Sequence, residues 1–367
     1  MAIVRTIEYV EITLTDENAT SANLTKSQAI AACVPILSVR HDTDDINNRR
    51  FPEVYFETGP KVTARKDSTS GTTVVGVFVI EFDTSGSISV QQDTWSITDT
   101  TTTVAIDAIT TTKAFTVINY RHSDTADDWE DGVVSVVFNS TTELGMARVA
   151  PAGTVNGRSY VVATSGTDFS VQHIQVAFGQ FSEIEEDAIT ALTLASSFII
   201  HSINSTCTNS EPKQACIVVD LKDTTTIRAR RAFDDFIDDT ADAVTNFVTT
   251  VEAQIIKAGG SEFTVERAES RFSDSTTKAN TVTEIDQARA VVVPGGYNGA
   301  MSNSDNIGGD MDGHYAIMDF TSDTEVTGTR TTNTTINGTT MFEVVEFELA
   351  VVLAAEANAI MAPYIPV

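Results

Sequence analysis

VYFETGPKVTAR (54–65) alternates apolar and polar residues on either side of a Gly-Pro corner and ends on a basic residue, the pattern of a β-hairpin. Nearly the same arrangement returns three times, as VVFNSTTELGMAR (136–148), VDLKDTTTIRAR (219–230) and MDFTSDTEVTGTR (318–330). With the last apolar residue before each turn as an anchor, Phe56, Phe138, Leu221 and Phe320 stand 82, 83 and 99 residues apart. The next apolar anchor comes six residues later in every copy, at Val62, Leu144, Ile227 and Val326. A basic residue follows at Arg65, Arg148, Arg230 and Arg330. Spacing repeated in this way marks one supersecondary unit used several times.

Outward from each hairpin the same apolar segments recur. Upstream lie SQAIAACVPILSVRH (27–41), KAFTVINYRH (113–122), SFIIHSIN (197–204) and ARAVVVPGGYN (288–298). Downstream the matching strands are VFVIEF (77–82), VQHIQVAF (171–178), VTTVEAQII (248–256) and FEVVEFELAVV (342–352). Short strands joined by Asp, Asn, Thr, Ser and Gly, with no long helical crossover between them, predict antiparallel sheets. The expected fold is all-β, a tandem array of four small antiparallel β-sandwich or barrel-like domains. Their expected spans are 1–90, 91–182, 183–283 with an insertion, and 284–367 with an apolar C-terminal tail. The insertion takes in RAFDDFIDDTADAV (231–244) and SEFTVERAESRF (261–272).

Composition agrees with that class. Threonine and valine are abundant, and a branched Cβ packs well on a pleated surface. With 23 basic against 51 acidic residues the formal net charge is −28, which repels nucleic acid and anionic lipid alike. No run of about 18 apolar residues is present, and the glutamate-bearing alternation of MAIVRTIEYVEITLT (1–15) does not read as a secretory signal. Cytoplasmic synthesis is the expectation. The tail LAVVLAAEANAIMAPYIPV (349–367) is an interaction signal, because contiguous apolar surface seeks a partner.

Candidate chemistry is sparse. No nucleophile elbow, zinc-binding helix motif, P-loop or dinucleotide fingerprint occurs, and none of the five histidines forms part of a catalytic pattern. His41 and His122 each follow an arginine at matching places in the first two units. Asp305, Asp310 and Asp312 in SDNIGGDMDGH (304–314) offer hard oxygen ligands beside glycines and make a candidate Ca2+ site; a solvated acidic turn is the alternative. Acidic loops at 42–45 and 124–131 present similar groups. Cys207 and Cys216 end the ten-residue segment CTNSEPKQAC and would either bridge in an oxidising medium or remain as two thiols. Cys33 sits in an apolar run as a small buried residue. Arg65, Arg148, Arg230 and Arg330 are candidate interface residues, since a guanidinium fork pairs with carboxylates of a neighbouring subunit; salt bridges within the unit are the competing assignment.

Lys113-Ala114-Phe115, Val136-Val137-Phe138, Leu144 to Arg148 and Val344-Val345-Glu346-Phe347 together form a strand, hairpin and closing-strand pattern that resembles tandem-repeat β-rich structural proteins of tailed-bacteriophage virions. The resemblance implies a non-enzymatic virion component on the capsid surface, collar or tail, without a cofactor. Its partners would be copies of itself and other virion proteins. The alternative is a receptor- or glycan-binding adhesin on the host surface, for which exposed aromatic faces, with Trp129 the candidate, would be required.

Overall fold

The computed structural model describes residues 2–17, 20–26, 29–41, 51–57, 59–69, 71–123, 132–179, 182, 184–206, 217–231, 248–272, 275–300, 315–331 and 337–349. It is almost entirely β, with no helix of seven or more residues among them. No helix among the described residues is long and apolar enough to cross a membrane.

Among the described residues, twenty-four strands fall into four topologically equivalent sets. Set 1 holds β1 (Val4–Leu14), β2 (Thr20–Asn23), β3 (Cys33–His41), β4 (Glu53–Glu57), β5 (Lys61–Arg65) and β6 (Thr73–Phe82). Set 2 holds β7 (Ile88–Ile97), β8 (Thr101–Ala105), β9 (Ala114–His122), β10 (Ser135–Ser140), β11 (Glu143–Ala147) and β12 (Val155–Thr164). Set 3 holds β13 (Phe169–Phe178), β14 (Ile184–Ala188), β15 (Ser197–Ser205), β16 (Ile217–Asp223), β17 (Thr226–Arg231) and β18 (Thr249–Ala258). Set 4 holds β19 (Phe263–Phe272), β20 (Thr277–Thr281), β21 (Ala290–Ala300), β22 (Ile317–Ser322), β23 (Glu325–Thr329) and β24 (Asn337–Phe347). A three-residue 3-10 turn leads into the third strand of each set, at Ile30–Ala32, Thr111–Lys113, Leu194–Ser196 and Gln287–Arg289.

Every set makes two antiparallel sheets. The last strand lies between the first and third, as in β1-β6-β3, and the fifth lies between the second and fourth, as in β2-β5-β4. The six-residue spacing read from the sequence is the hairpin register, for Phe56 pairs with Val62, Phe138 with Leu144, Leu221 with Ile227 and Phe320 with Val326. In set 1 the turn uses Gly59 at φ +96°, a conformation costly for any residue with a Cβ. The other three turn through threonine-bearing pairs that follow a register shift.

The central strands of the long sheets, β6, β12, β18 and β24, are buried along most of both faces, and that decides the arrangement of the sets. Along β6, Val75, Val77 and Val79 face the core of their own set, while Phe78, Ile80 and Phe82 join a second core. That second core is common to all four sets. Val34 and Ile36, Phe115 and Val117, Phe198 and Ile256, and Val291 and Val293 all belong to it. Phenylalanines run through it in edge or tilted contact, from Phe82 to Phe115 to Phe198 to Phe263 to Phe347, with ring centroids 5.1 to 6.5 Å apart.

The sets close into a ring. β4 packs on β9 and β12, β10 on β15 and β18, β16 on β21 and β24, and β22 on β3 and β6 of the first set. A parallel bridge from Val4 to Leu349 brings the two ends of the described chain together.

The strands correct several sequence assignments. VQHIQVAF, expected to close the second unit, is part of β13 and opens set 3; the closing strand of set 2 is β12, VNGRSYVVAT. SEFTVERAESRF is β19 with its lead-in, the start of set 4 rather than an insertion. The expected border at 90/91 falls within β7, that at 182/183 beyond β13, and that at 283/284 between β20 and β21. The sets join instead between Phe82 and Ile88, Thr164 and Phe169, and Ala258 and Phe263.

A single set cut from the ring should not hold together. In set 2 alone, Ile88, Phe115, Val117, Tyr160 and Val162 would lose their cover. At ~1.5–3 kcal/mol per large side chain, the loss is on the order of 10 kcal/mol, comparable to the whole stability of a domain. Residues 84–166 expressed alone are expected to bind a hydrophobic dye and to melt without a cooperative transition. A sharp melt with dispersed amide resonances would contradict the shared core.

Candidate functional site

The residues that distinguish one set from another gather at the four seams of the ring. One geometry recurs there. The second residue of the β4 and β10 pattern offers its backbone N–H to the sixth residue of the next set's third strand. Val54 donates to Asn119 Oδ1 at 2.7 Å, Val136 to Ser202 Oγ at 3.0 Å and, closing the ring, Met318 to Ser38 Oγ at 3.2 Å. In the seam between sets 3 and 4 the corresponding residue is Gly295, and Val218 of β16 pairs directly with Gly296 of β21. A Cβ on Gly296 would lie 1.9 Å from the Ile217 carbonyl oxygen, and its φ is +97°. Glycine at that point admits the neighbouring backbone and fuses two sheets into one of six strands.

A second recurring place pairs the first and last strands: Tyr9 with Phe78, Gln92 with Tyr160, His173 with Gln254, and Arg267 with Glu343. Three of these pairs clasp the preceding set. Gln92 donates to the carbonyls of Ile30 (2.7 Å) and Cys33 (3.0 Å), and Tyr160 donates to the Val54 carbonyl at 2.9 Å. His173 Nε2 donates to the Thr111 carbonyl at 2.9 Å, while the Gln254 amide bonds both the N–H and the C=O of Thr116. Arg267 donates to the carbonyls of Leu194 (2.7 Å) and Ser197, and Glu343 accepts the Ile199 N–H at 2.6 Å while paired with Arg267. Burial pushes the Glu343 carboxyl up from its ordinary range, and the Arg267 guanidinium opposes that shift. Set 1 presents Pro35 where the next two sets present the Thr116 and Ile199 N–H groups, so Tyr160 is left to bond Val54 instead.

The closing seam between sets 4 and 1 differs. Tyr9 and Phe78 stand at the clasping place, and the Tyr9 hydroxyl is buried without a partner. Phe78 meets Tyr9 at 4.8 Å and Phe320 at 5.7 Å between ring centroids. Beside them, burial and the nearby Glu11 carboxylate push the Asp319 carboxyl up to about 6. By contrast, the seam between sets 1 and 2 is held by charge: Glu53 accepts from Arg121 at 2.9 Å and from Arg158 at 2.8 Å, and Arg121 also pairs with Asp67. Charge-assisted bonds of this kind are about twice as strong as neutral ones.

The third strands of all four sets meet around a recess of about 130 Å3. Its lining includes Leu37, Ile118 and Pro294, and at the equivalent place in β15 stands His201. The His201 Nδ1 atom is buried without a partner, as is Thr116 Oγ1 on the same wall. Burial pulls the imidazole down to about 4.

Of the arginines singled out from the sequence, Arg148 and Arg330 are 2% and 1% exposed. Arg148 donates to the carbonyls of Asp99 (2.8 Å), Ala152 (2.6 Å) and Gly153 (2.9 Å) and to His122 Nε2 (3.2 Å). Arg330 donates to the Ser275 carbonyl at 2.8 Å and lies over the Phe272 ring. Both close loops within their own sets and are not presented to another subunit. Arg230 pairs with Asp220 of its own set at 3.4 Å and, across the seam between sets 3 and 4, with Glu269 at 3.9 Å. The counterpart of Arg148 in set 1 is Lys66, fully buried with its ammonium on the Gly71 carbonyl, and Arg65 precedes it at the end of β5. One residue of offset along a strand turns a side chain to the opposite face. Asp305, Asp310, Asp312, Cys207, Cys216, Trp129, the acidic loops at 42–45 and 124–131 and the tail from 350 lie outside the described residues. Cys33 is buried with its thiol towards the Ala29 carbonyl at 3.5 Å, and Trp95 is buried against Tyr120. Among the described residues no group of three or more His, Cys, Asp or Glu side chains is placed to hold a metal. Comparison with known protein families, curated proteins and solved structures finds no match to this chain.

Two partly buried groups give opposite pH dependences. Asp319 binds its proton more tightly folded than unfolded, so its contribution to stability is present below about pH 4 and is lost as pH rises towards about 6. His201 binds its proton less tightly folded, so its contribution is present above its ordinary value of 6.5 and is lost as pH falls towards about 4. Denaturant unfolding between pH 4 and 8 should show Asp319→Asn more stable than the parent at pH 7 and close to it at pH 4. His201→Leu should be more stable at all pH values, by about 1 kcal/mol at neutrality, since it removes an unpartnered polar atom. Its advantage should widen in acid. Parallel pH profiles for parent and variants would refute these assignments.

Proposed function

We propose that this chain is a non-enzymatic building block of a tailed-phage virion, a capsid-surface, collar or tail component that assembles with copies of itself and with other virion proteins. The observation that carries the reading is the closed ring of four equivalent strand sets, in which the polar side chains peculiar to each set join one set to the next. Gln92, Tyr160, His173, Gln254, Arg267 and Glu343 serve the seams, which is where a protein built to hold shape places its specific contacts. The net charge of −28 supports the same reading, because it keeps a protein soluble at high local density.

Antibody raised against the recombinant chain and carried on gold is expected to decorate purified particles of the encoding virus at regularly spaced positions, and the chain should be present among the proteins of those particles. Particles free of the chain, with all of it left in the soluble fraction of the lysate, would reject the reading.

A further inference from the structure

Three of the four seams are tethered by short connections along the chain, Asp83–Ser87, Ser165–Asp168 and Gly259–Glu262, and each carries polar clasps from the paired place described above. The seam between sets 4 and 1 has neither advantage. Its two sides are far apart in sequence, so no linker holds one near the other once they part. Its clasping place is taken by Tyr9 and Phe78, and it carries the Met318 to Ser38 hydrogen bond, the Val4 to Leu349 bridge and an edge contact of His41 with Tyr315. Apolar and aromatic contact centres on Ile317, Phe320 and Phe78. The carboxyl of Asp319 lies in the same seam, facing Tyr9 and Glu11 of β1, with Arg40 of β3 close by.

We propose that this seam is also the surface through which two copies of the chain join, set 4 of one copy docking on set 1 of the next in place of its own. The partner surface is already complementary because it is the one the closed ring uses, so exchange needs no new contact. Such a contact is heterologous: each added copy leaves one free set 1 and one free set 4, and the product is an open chain of copies or a larger ring. The opening leaves Phe78 and Phe320 uncovered until a second copy arrives, which favours association at high protein concentration. The inference gives a surface to the self-association named above and rests on that reading for its biological setting only; the test uses purified protein and no virus.

Hydrogen exchange on the full chain reads the opening directly. The Met318 amide is expected to exchange at least about tenfold faster than those of Val54 and Val136, which occupy the same place in the tethered seams. Exchange between copies is then trapped with two variants that each add one cysteine to the native three. Ser38 Oγ and an Ile317 methyl both lie within 3.0 Å of the position a Cβ would take on Gly76, so the two side chains adjoin across the seam. Copies carrying Ser38→Cys, mixed at high concentration with copies carrying Ile317→Cys, warmed, cooled and oxidised, should yield a cross-linked pair. Peptide mass spectrometry should place that link between positions 38 and 317. The double variant, oxidised while dilute, should link within one chain and lose concentration-dependent association in light scattering. Equal protection of the three amides would overturn the proposal. So would a double variant that closes on itself yet associates as the parent does, or folded single variants that never link.

Discussion

The central strand of each long sheet, β6, β12, β18 or β24, is buried along most of both faces, and that constraint governs the rest. A strand such as β6, with valines on one side and Phe78, Ile80 and Phe82 on the other, is not satisfied by the small sheet of its own set. Antiparallel sheets commonly leave one face in water and then alternate cleanly between apolar and polar. Here the second face needs a cover of equal extent, and the other three sets supply it. The shared core follows, and with it the ring, because the fourth set has the same need as the first and meets it against β3 and β6.

Given a ring of four similar units, uniform apolar seams would leave the neighbours of each set poorly specified. The side chains at matching places remove that ambiguity. Tyr160, Gln254 and Glu343 reach different backbone groups by different chemistry, and each fits what the preceding set offers. Proline at 35 withholds an N–H where Tyr160 does not need one, whereas Ile199 presents an N–H that buried Glu343 accepts. Gly295 and Gly296 let β16 and β21 meet backbone to backbone, an approach that Ser38, Asn119 or Ser202 would hold apart with a side chain. Buried polar groups placed in this way fix one arrangement against its alternatives. The closing seam keeps the Met318 to Ser38 hydrogen bond but presents Tyr9 and Phe78 at the clasping place, and those aromatic contacts leave it the least specified of the four.

Much of this was legible in the residues. The anchors Phe56, Phe138, Leu221 and Phe320 mark the hairpin because register fixes a constant distance between paired residues whatever turn joins them. The upstream apolar segments matched the third strands for the same reason. β12 went unseen because Asn156, Arg158 and Ser159 break its apolar pattern. Arg158 answers Glu53 of the neighbouring set, a partner that distance along the chain conceals. The basic residue after each hairpin was visible, but its role was not. Arg148 and Arg330 face inward to carbonyls, and in set 1 the same place belongs to Lys66, one residue beyond Arg65.

The sequence by itself determined the local structure: β-hairpins at fixed register, antiparallel sheets, and one pattern used four times, because alternation and turn chemistry act between residues close along the chain. Tertiary structure alone decided that the four sets share one core and close upon each other, and that His201 stands in the recess where the other sets place Leu37, Ile118 and Pro294. Those outcomes depend on which faces remain uncovered after the local sheets have formed. Satisfying them joins residues from opposite ends of the chain, and no period in the sequence records that meeting.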